Sequence, residues 1–262
     1  MTTTDAEARV EELWRYPVKS LRGERLTRAE LVADGLDGDR GWGIRPSATG
    51  RILTARRAPA LLVAAAALVD GVPVITLPDG SRCAGPGAAT DAALSDWLEQ
   101  PVSLVAAIGG PGGRAEFFED ATDDSSPAVE WTMPEGRFVD AGPLLLLSTA
   151  SLRTMADRHP DGSWDVRRFR PNLVLDVPGD GAEEGWPEDG WTGRALRVGG
   201  AVVVPTEPCV RCTMVTRAQP GVEADVEIFR ALRRHHGATF GMWTDVRTPG
   251  RVAVGDSVRA ET

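Results

Sequence analysis

Lysine is almost missing from this chain. Of 29 basic residues in 262, a single one, Lys19, is lysine and the rest are arginine. Cysteine is scarce as well, with three residues, so a disulfide framework is excluded and a reducing, cytoplasmic setting is expected. There is one tyrosine, Tyr16, and there are three histidines, none paired at a spacing that suits a metal. Long apolar runs are lacking too. The longest, Ala60 to Val69, is too short to span a bilayer, so no membrane partner is expected. The first dozen residues show neither a basic n-region nor an apolar h-region, and no export signal is expected from them. Positive charge is outweighed, leaving a net charge of −9, which argues against a general nucleic-acid role.

Against this scarcity, two of the three cysteines stand within four residues, in Pro208-Cys-Val-Arg-Cys212. A structural zinc site needs a second ligand pair, and Cys83 together with His159, His235 and His236 does not supply one. A thioredoxin-type Cys-x-x-Cys opens a helix after a first strand, whereas this one comes late and is followed by Thr213 to Gly221, which reads as strand then turn. Two reduced thiols in a buried loop, or a reactive or ligating thiolate at Cys209, remain open from the pair alone. The solitary Lys19 follows a first strand in Arg15-Tyr-Pro-Val-Lys-Ser-Leu21. A compact ammonium with three donors can serve an anion or heteroatom where a planar guanidinium does not fit. The bland alternative is a surviving surface lysine.

Along the chain, Glu11 to Tyr16, Leu26 to Val32 and Trp42 to Ile44 read as strands. Leu61 to Leu68 and Pro73 to Leu77 flank Asp70-Gly71 in the manner of a hairpin. Ala89 to Leu98 has helical spacing, with Thr90-Asp91 as its expected cap. Gly109 to Gly113 and the acidic stretch Glu119 to Pro127 mark a seam, which divides the chain into parts at 8–112 and 120–262. In the second part, Leu144 to Leu147 reads as a buried strand running into Ser148-Thr149, a helix start able to cap or to attract an anion. Arg167, Arg168 and Arg170 precede Pro171-Asn172, in a pattern that suits a phosphate or carboxylate clamp and equally a solvated basic loop. Leu196 to Val204 reads as a strand leading to the cysteines.

Six motifs in this order, Tyr16-Pro-Val-Lys-Ser20, Gly35-Leu-Asp-Gly-Asp-Arg40, Leu147-Ser148, Phe169-Arg-Pro-Asn172, Pro208-Cys-Val-Arg-Cys212 and Val254-Gly-Asp256, resemble those of MOSC-domain proteins. The likeness covers nearly the whole chain and is closest to the two-part form that includes the mitochondrial amidoxime-reducing component. It implies a mixed α+β, mainly β fold: a β-barrel-type MOSC core with an N-terminal β-rich subdomain and a few helices. It also implies a molybdenum–molybdopterin cofactor (Moco), with Cys209 as catalytic metal ligand and cofactor contacts at Lys19, Ser20, Arg40, Ser148, Thr149, Arg170, Asn172 and Trp243. The implied activity is reduction of small N-hydroxylated substrates, with electrons from an external reductase or ferredoxin-type protein. No flavin or nicotinamide fingerprint, no fused ferredoxin-like cysteine cluster and no membrane-anchoring leader is expected. Two other roles fit the same motifs: a sulfur carrier with a persulfide on Cys209, and a cofactor-storage protein without turnover. The segment after Cys212 lacks the aspartate that relatives carry there, which bears on the substrate side of the site.

Overall fold

The structure, a computed structural model, describes residues 8–108, 113–120, 123–178 and 185–261. The strands, in chain order, are β1 (Ala8–Arg15), β2 (Glu24–Leu26), β3 (Arg28–Val32), β4 (Gly35–Leu36), β5 (Trp42–Pro46), β6 (Ala65–Val69), β7 (Val72–Thr76), β8 (Arg82–Ala84) and β9 (Val102–Ala106). They continue as β10 (Arg114–Phe118), β11 (Ala128–Thr132), β12 (Leu144–Ser148), β13 (Leu173–Asp176), β14 (Leu196–Val198), β15 (Ala201–Val210), β16 (Thr239–Thr248), β17 (Gly250–Ala253) and β18 (Ser257–Ala260). Three α-helices join them: α1 (Ala88–Leu98), α2 (Thr149–Arg158) and α3 (Glu227–His236). No helix among the described residues is long and apolar enough to cross a membrane.

The architecture is mainly β, as the sequence implies. Strands β13, β12, β16, β15, β14, β18 and β1 hydrogen-bond in that order, and β1 returns to β13, so seven strands close a barrel. Closure removes the unpaired edges that an open sheet leaves exposed. Only β12 and β13 run parallel, because α2 lies between them and carries the chain back. Leucines and valines of alternate positions fill the interior, with Leu13, Leu144, Leu146, Leu173, Val198 and Val203 among its buried members. Outside the barrel, α2 and α3 cover a second cluster built on Phe169, Leu232 and Phe240. The N-terminal part has its own core, including Val18, Leu21, Ile44, Leu61, Leu94 and Leu104.

Several local expectations change. Strand β1, placed by sequence in the N-terminal part, pairs with β13 and β18 of the barrel, and β3 pairs with β17. The first chain segment therefore belongs to both parts, since a barrel lacking β1 would stay open. Residues 109–112 of the expected glycine break lie outside the described residues. The hairpin at Asp70-Gly71 forms between β6 and β7 with both turn residues at positive φ, 51° and 79°. Leu61 and Leu62 belong instead to a 3-10 turn. Helix α1 is capped at Gly87 rather than Thr90: Thr90 is buried inside the helix, while Asp91 accepts from the Leu104 N–H at 2.9 Å and ties α1 to β9. The segment after Cys212 is a 3-10 turn, Thr213–Thr216, not a strand.

Candidate functional site

Three loops that line one cleft share an uncommon backbone feature. Ser20, Arg40 and Arg170 all sit at positive φ, 69°, 51° and 57°. Left-handed backbone costs a non-glycine residue roughly 1–2 kcal/mol, so the surroundings must hold each one. They do so through the backbone: Lys19 N–H donates to Trp42 O at 2.8 Å, Arg40 N–H to Tyr16 O at 2.8 Å, and Arg170 N–H to Val166 O at 3.3 Å. Strain of this kind concentrates at functional sites.

The single tyrosine organises the cations. The Arg170 and Arg40 guanidinium carbons lie 4.3 Å and 5.0 Å from the Tyr16 ring centroid. Burial pushes the Tyr16 phenol up despite the Arg170 charge, so it stays neutral and donates to Pro171 O at 3.2 Å. Burial also lowers Arg170 to about 10, and the guanidinium remains charged at neutral pH. Its Nη1 donates to Leu21 O at 2.8 Å. Lys19, 5% exposed, donates to Phe138 O at 3.0 Å and pairs with Asp140. Burial pulls its ammonium down, and Asp140 restores part of that loss. Asp140, whose side chain is half exposed, is held below the ordinary carboxylate range by the charge and hydrogen bond of Lys19.

The thiols face this cation group across a cleft. Cys209 is the last residue but one of β15 and is 2% exposed, with Arg211 Nη1 donating to its Sγ at 3.0 Å. Arg211 Nη2 reaches Phe169 O at 2.7 Å and binds the cysteine segment to the Phe169-Arg170 loop. Burial pushes the Cys209 thiol up, and Arg211 counteracts it. Cys212 is only partly buried and precedes the 3-10 turn. Burial raises its thiol too, with the Met214 N–H pulling the other way. Spacing could not rank the two thiols; their burial differs. Cys209 is buried and Cys212 half-buried, and both line the same cleft.

Lys19, Ser20, Arg40, Arg170, Cys209 and Trp243 all line this one cleft. Three other expected contacts do not. Ser148 is fully buried at the α2 N-terminus, where its hydroxyl donates to Glu188 Oε2 at 2.5 Å and its N–H to Oε1 at 3.3 Å. A carboxylate of the chain itself already occupies that helix end. The Thr149 hydroxyl donates to Asp176 at 2.9 Å. Asn172 is fully buried; its Oδ1 accepts from Leu145 N–H at 3.1 Å and Arg40 at 3.3 Å, and its Nδ2 donates to Trp14 O at 3.2 Å. With its amide committed to two strands, Asn172 positions Arg40 rather than facing the cleft. Of the arginine run, only Arg170 enters the cleft: Arg168 is buried against the carbonyls of Ser163, Val215 and Glu223, and Arg167 pairs with Asp165.

Thr54, Arg56 and Phe117, which the sequence reading passed over, complete the lining. Thr54 Oγ1 and Arg211 Nε are buried without any hydrogen-bond partner, and both residues border the cleft. Such atoms cost free energy unless something else meets them. Arg56 and Phe117 line the cleft from the other side. Tyr16 carried a usable signal as the only tyrosine; Thr54, Arg56 and Phe117 carried none. Among the described residues no group of three or more His, Cys, Asp or Glu side chains could hold a metal ion.

The MOSC domain model matches residues 134–259, and the MOSC N-terminal beta barrel domain model matches residues 7–110. Between them they account for most of the chain. It is a two-part MOSC-domain protein. The MOSC chain is 27% identical to "Mitochondrial amidoxime-reducing component 1" of Mus musculus, over 95% of its own length and 81% of the relative's. It is equally similar to the Homo sapiens protein of that name, at 27% over 95% and 82%. A "Molybdenum cofactor sulfurase" of Oryza sativa subsp. japonica is 26% identical over 78% of this chain, which spans only 28% of that longer protein.

Proposed function

We propose that this MOSC protein binds a molybdenum–molybdopterin cofactor in the cleft and reduces N-hydroxylated compounds such as amidoximes or hydroxylamines. The supporting observation is the pairing of buried, underused donors with an accessible thiol. Lys19, Arg40, Arg170 and Arg211 converge there, and among the described residues Arg211 Nε and Thr54 Oγ1 lack partners. That donor set fits an anionic, sulfur-rich ligand: arginine and lysine suit a phosphate, and soft thiolate suits molybdenum already bound by sulfur. The names of the relatives point the same way.

When bound, the cofactor supplies two-electron oxygen-atom removal, in which the N–O bond breaks and the oxygen leaves as water after two protons and two electrons are taken up. The protein does the rest. Arg170, Lys19 and Arg40 would hold the anionic end and Cys212 would offer the thiolate, while Arg211 pins Cys209 through its sulfur. Burial lowers the Lys19 ammonium and Asp140 counteracts it, so the two form a charged pair at the cleft. The electrons come from a separate reductase or ferredoxin-type partner. The test is molybdenum content, and dye-coupled reduction of N-hydroxybenzamidine, for protein made in a molybdate-replete host. Wild type is expected to carry molybdenum and turn over, and Cys212→Ala to lose both. A wild type without molybdenum, or a Cys209→Ala/Cys212→Ala double variant with full metal-dependent turnover, overturns the reading.

A further inference from the structure

The cleft has a second wall of opposite character. It is carried by the β10–β11 hairpin, whose Phe117 lines the same cleft as Met214 and Trp243. Val210, between the two thiols, leaves its side chain 66% exposed at the same mouth. An apolar residue so placed, beside aromatic rings in a concave site, marks where an apolar ligand group sits. Phe117 is backed by Trp131, with ring centroids 6.2 Å apart and planes at 75°, so its ring is supported from the hairpin side.

The charges on this wall are already matched. Glu116 accepts from Arg51 Nη1 at 2.6 Å and Arg57 Nε at 2.9 Å. Arg56 Nε donates to Asp124 Oδ1 at 2.6 Å, and the Arg56 and Arg57 guanidinium carbons lie 4.3 Å and 4.5 Å from the Phe118 ring centroid. Asp124, in the connection between β10 and β11, also accepts from Thr213 Oγ1 at 2.8 Å and pairs with Arg217. One carboxylate therefore ties the hairpin to the turn that follows Cys212.

We propose that the β10–β11 hairpin is the substrate wall of the cleft: Phe117 stacks the aryl group of an uncharged N-hydroxylated aromatic compound, and Asp124 positions that wall by latching it to the thiol-bearing segment. This rests on the function proposed above for its choice of headgroup, while the aryl preference is a property of the hairpin. A wall with no unmatched charge favours a neutral ligand, because a cationic or anionic group would be desolvated there without a partner. Asp124 touches no substrate and acts only through Arg56, Thr213 and Arg217.

Binding is measured directly, by calorimetry on the whole protein, with N-hydroxybenzamidine and the small N-hydroxyurea as probes. Wild type is expected to prefer the aryl probe. Phe117→Ala is expected to weaken aryl binding about ten-fold, with N-hydroxyurea unchanged and Phe117→Tyr restoring the preference. Asp124→Asn is expected to raise the KM for the aryl substrate about three- to ten-fold at unchanged kcat and unchanged melting temperature. The proposal is overturned by a wild type without aryl preference, by Phe117→Ala shifting both probes equally or neither, or by Asp124→Asn lowering kcat alone. Because binding needs no turnover, a protein that lacks molybdenum and so fails the earlier test can still show the Phe117-dependent preference.

Discussion

Among the described residues the α2 N-terminus and the cleft both suit an anion, and a carboxyl group of the chain itself stands in the first. The α2 N-terminus presents free N–H groups and hydroxyls, and Glu188 fills it from forty residues away. The cleft presents Lys19, Arg40, Arg170 and Arg211, and Asp140 answers only Lys19 while Asp39 answers Arg40. Beside them Arg211 Nε and Thr54 Oγ1 go unmet. The difference is one of satisfaction rather than of residue type. A donor set that the fold has already matched stabilises the fold; one held open by strained backbone and buried cations is available to a ligand.

That contrast can be broken most severely at the thiols and the cations beside them. Cys212→Ala is expected to cut molybdenum per protein at least about ten-fold, with Cys209→Ala milder, read by elemental analysis. The opposite ranking would make Cys209 the ligand. Arg170→Ala comes next: losing one charged donor is expected to weaken cofactor retention by about 1.5–3 kcal/mol, measured as molybdenum kept on dialysis at rising salt. Ser148→Ala sharpens the comparison from the other side. It should leave molybdenum content unchanged yet cost about 2 kcal/mol of stability, because it strips a partner from a buried carboxylate. Molybdenum loss at unchanged stability would return the α2 N-terminus to the site.

The smallest effect is a pH dependence. Burial raises the Glu188 carboxyl above its ordinary value of 4.5, so the folded state binds that proton more tightly than the unfolded chain. Its stabilising contribution is complete below the unfolded value and is lost as pH rises through the folded one. Glu188→Gln should therefore gain on wild type in melting temperature as pH rises above the ordinary carboxyl value of 4.5. A constant difference as pH rises would show Glu188 ionised throughout.

Much of this was legible without coordinates, where the signal was local. The Asp70-Gly71 turn, the strand at Leu144 to Leu147 and the helix near Ala89 to Leu98 follow from turn residues and periodicity, and all three form. The cap of α1 was misplaced because Gly87 caps without a side chain while Asp91 is taken by β9. Helix α3 went unread, although Ile228, Phe229, Ala231 and Leu232 are its buried face. Of the site, Lys19, Ser20, Arg40, Arg170 and Cys209 were legible as types in motifs. The hairpin wall was not, since Phe117 meets Cys212's segment only through the Asp124 contact with Thr213 and Arg217.

Sequence alone determined which chemistry is possible here: one lysine among arginines, one tyrosine, two thiols spaced by Val210-Arg211, and motifs that specify the MOSC family. Those are properties of residue type and short-range order, and they survive without a fold. Tertiary structure decided which of these groups are spent and which are free, because burial and hydrogen-bond satisfaction depend on neighbours distant in the chain. Closure of the barrel through β1 brings Tyr16 against Arg170, and the hairpin brings Asp124 to Arg217. No short stretch of sequence contains either contact, and both shape the cleft.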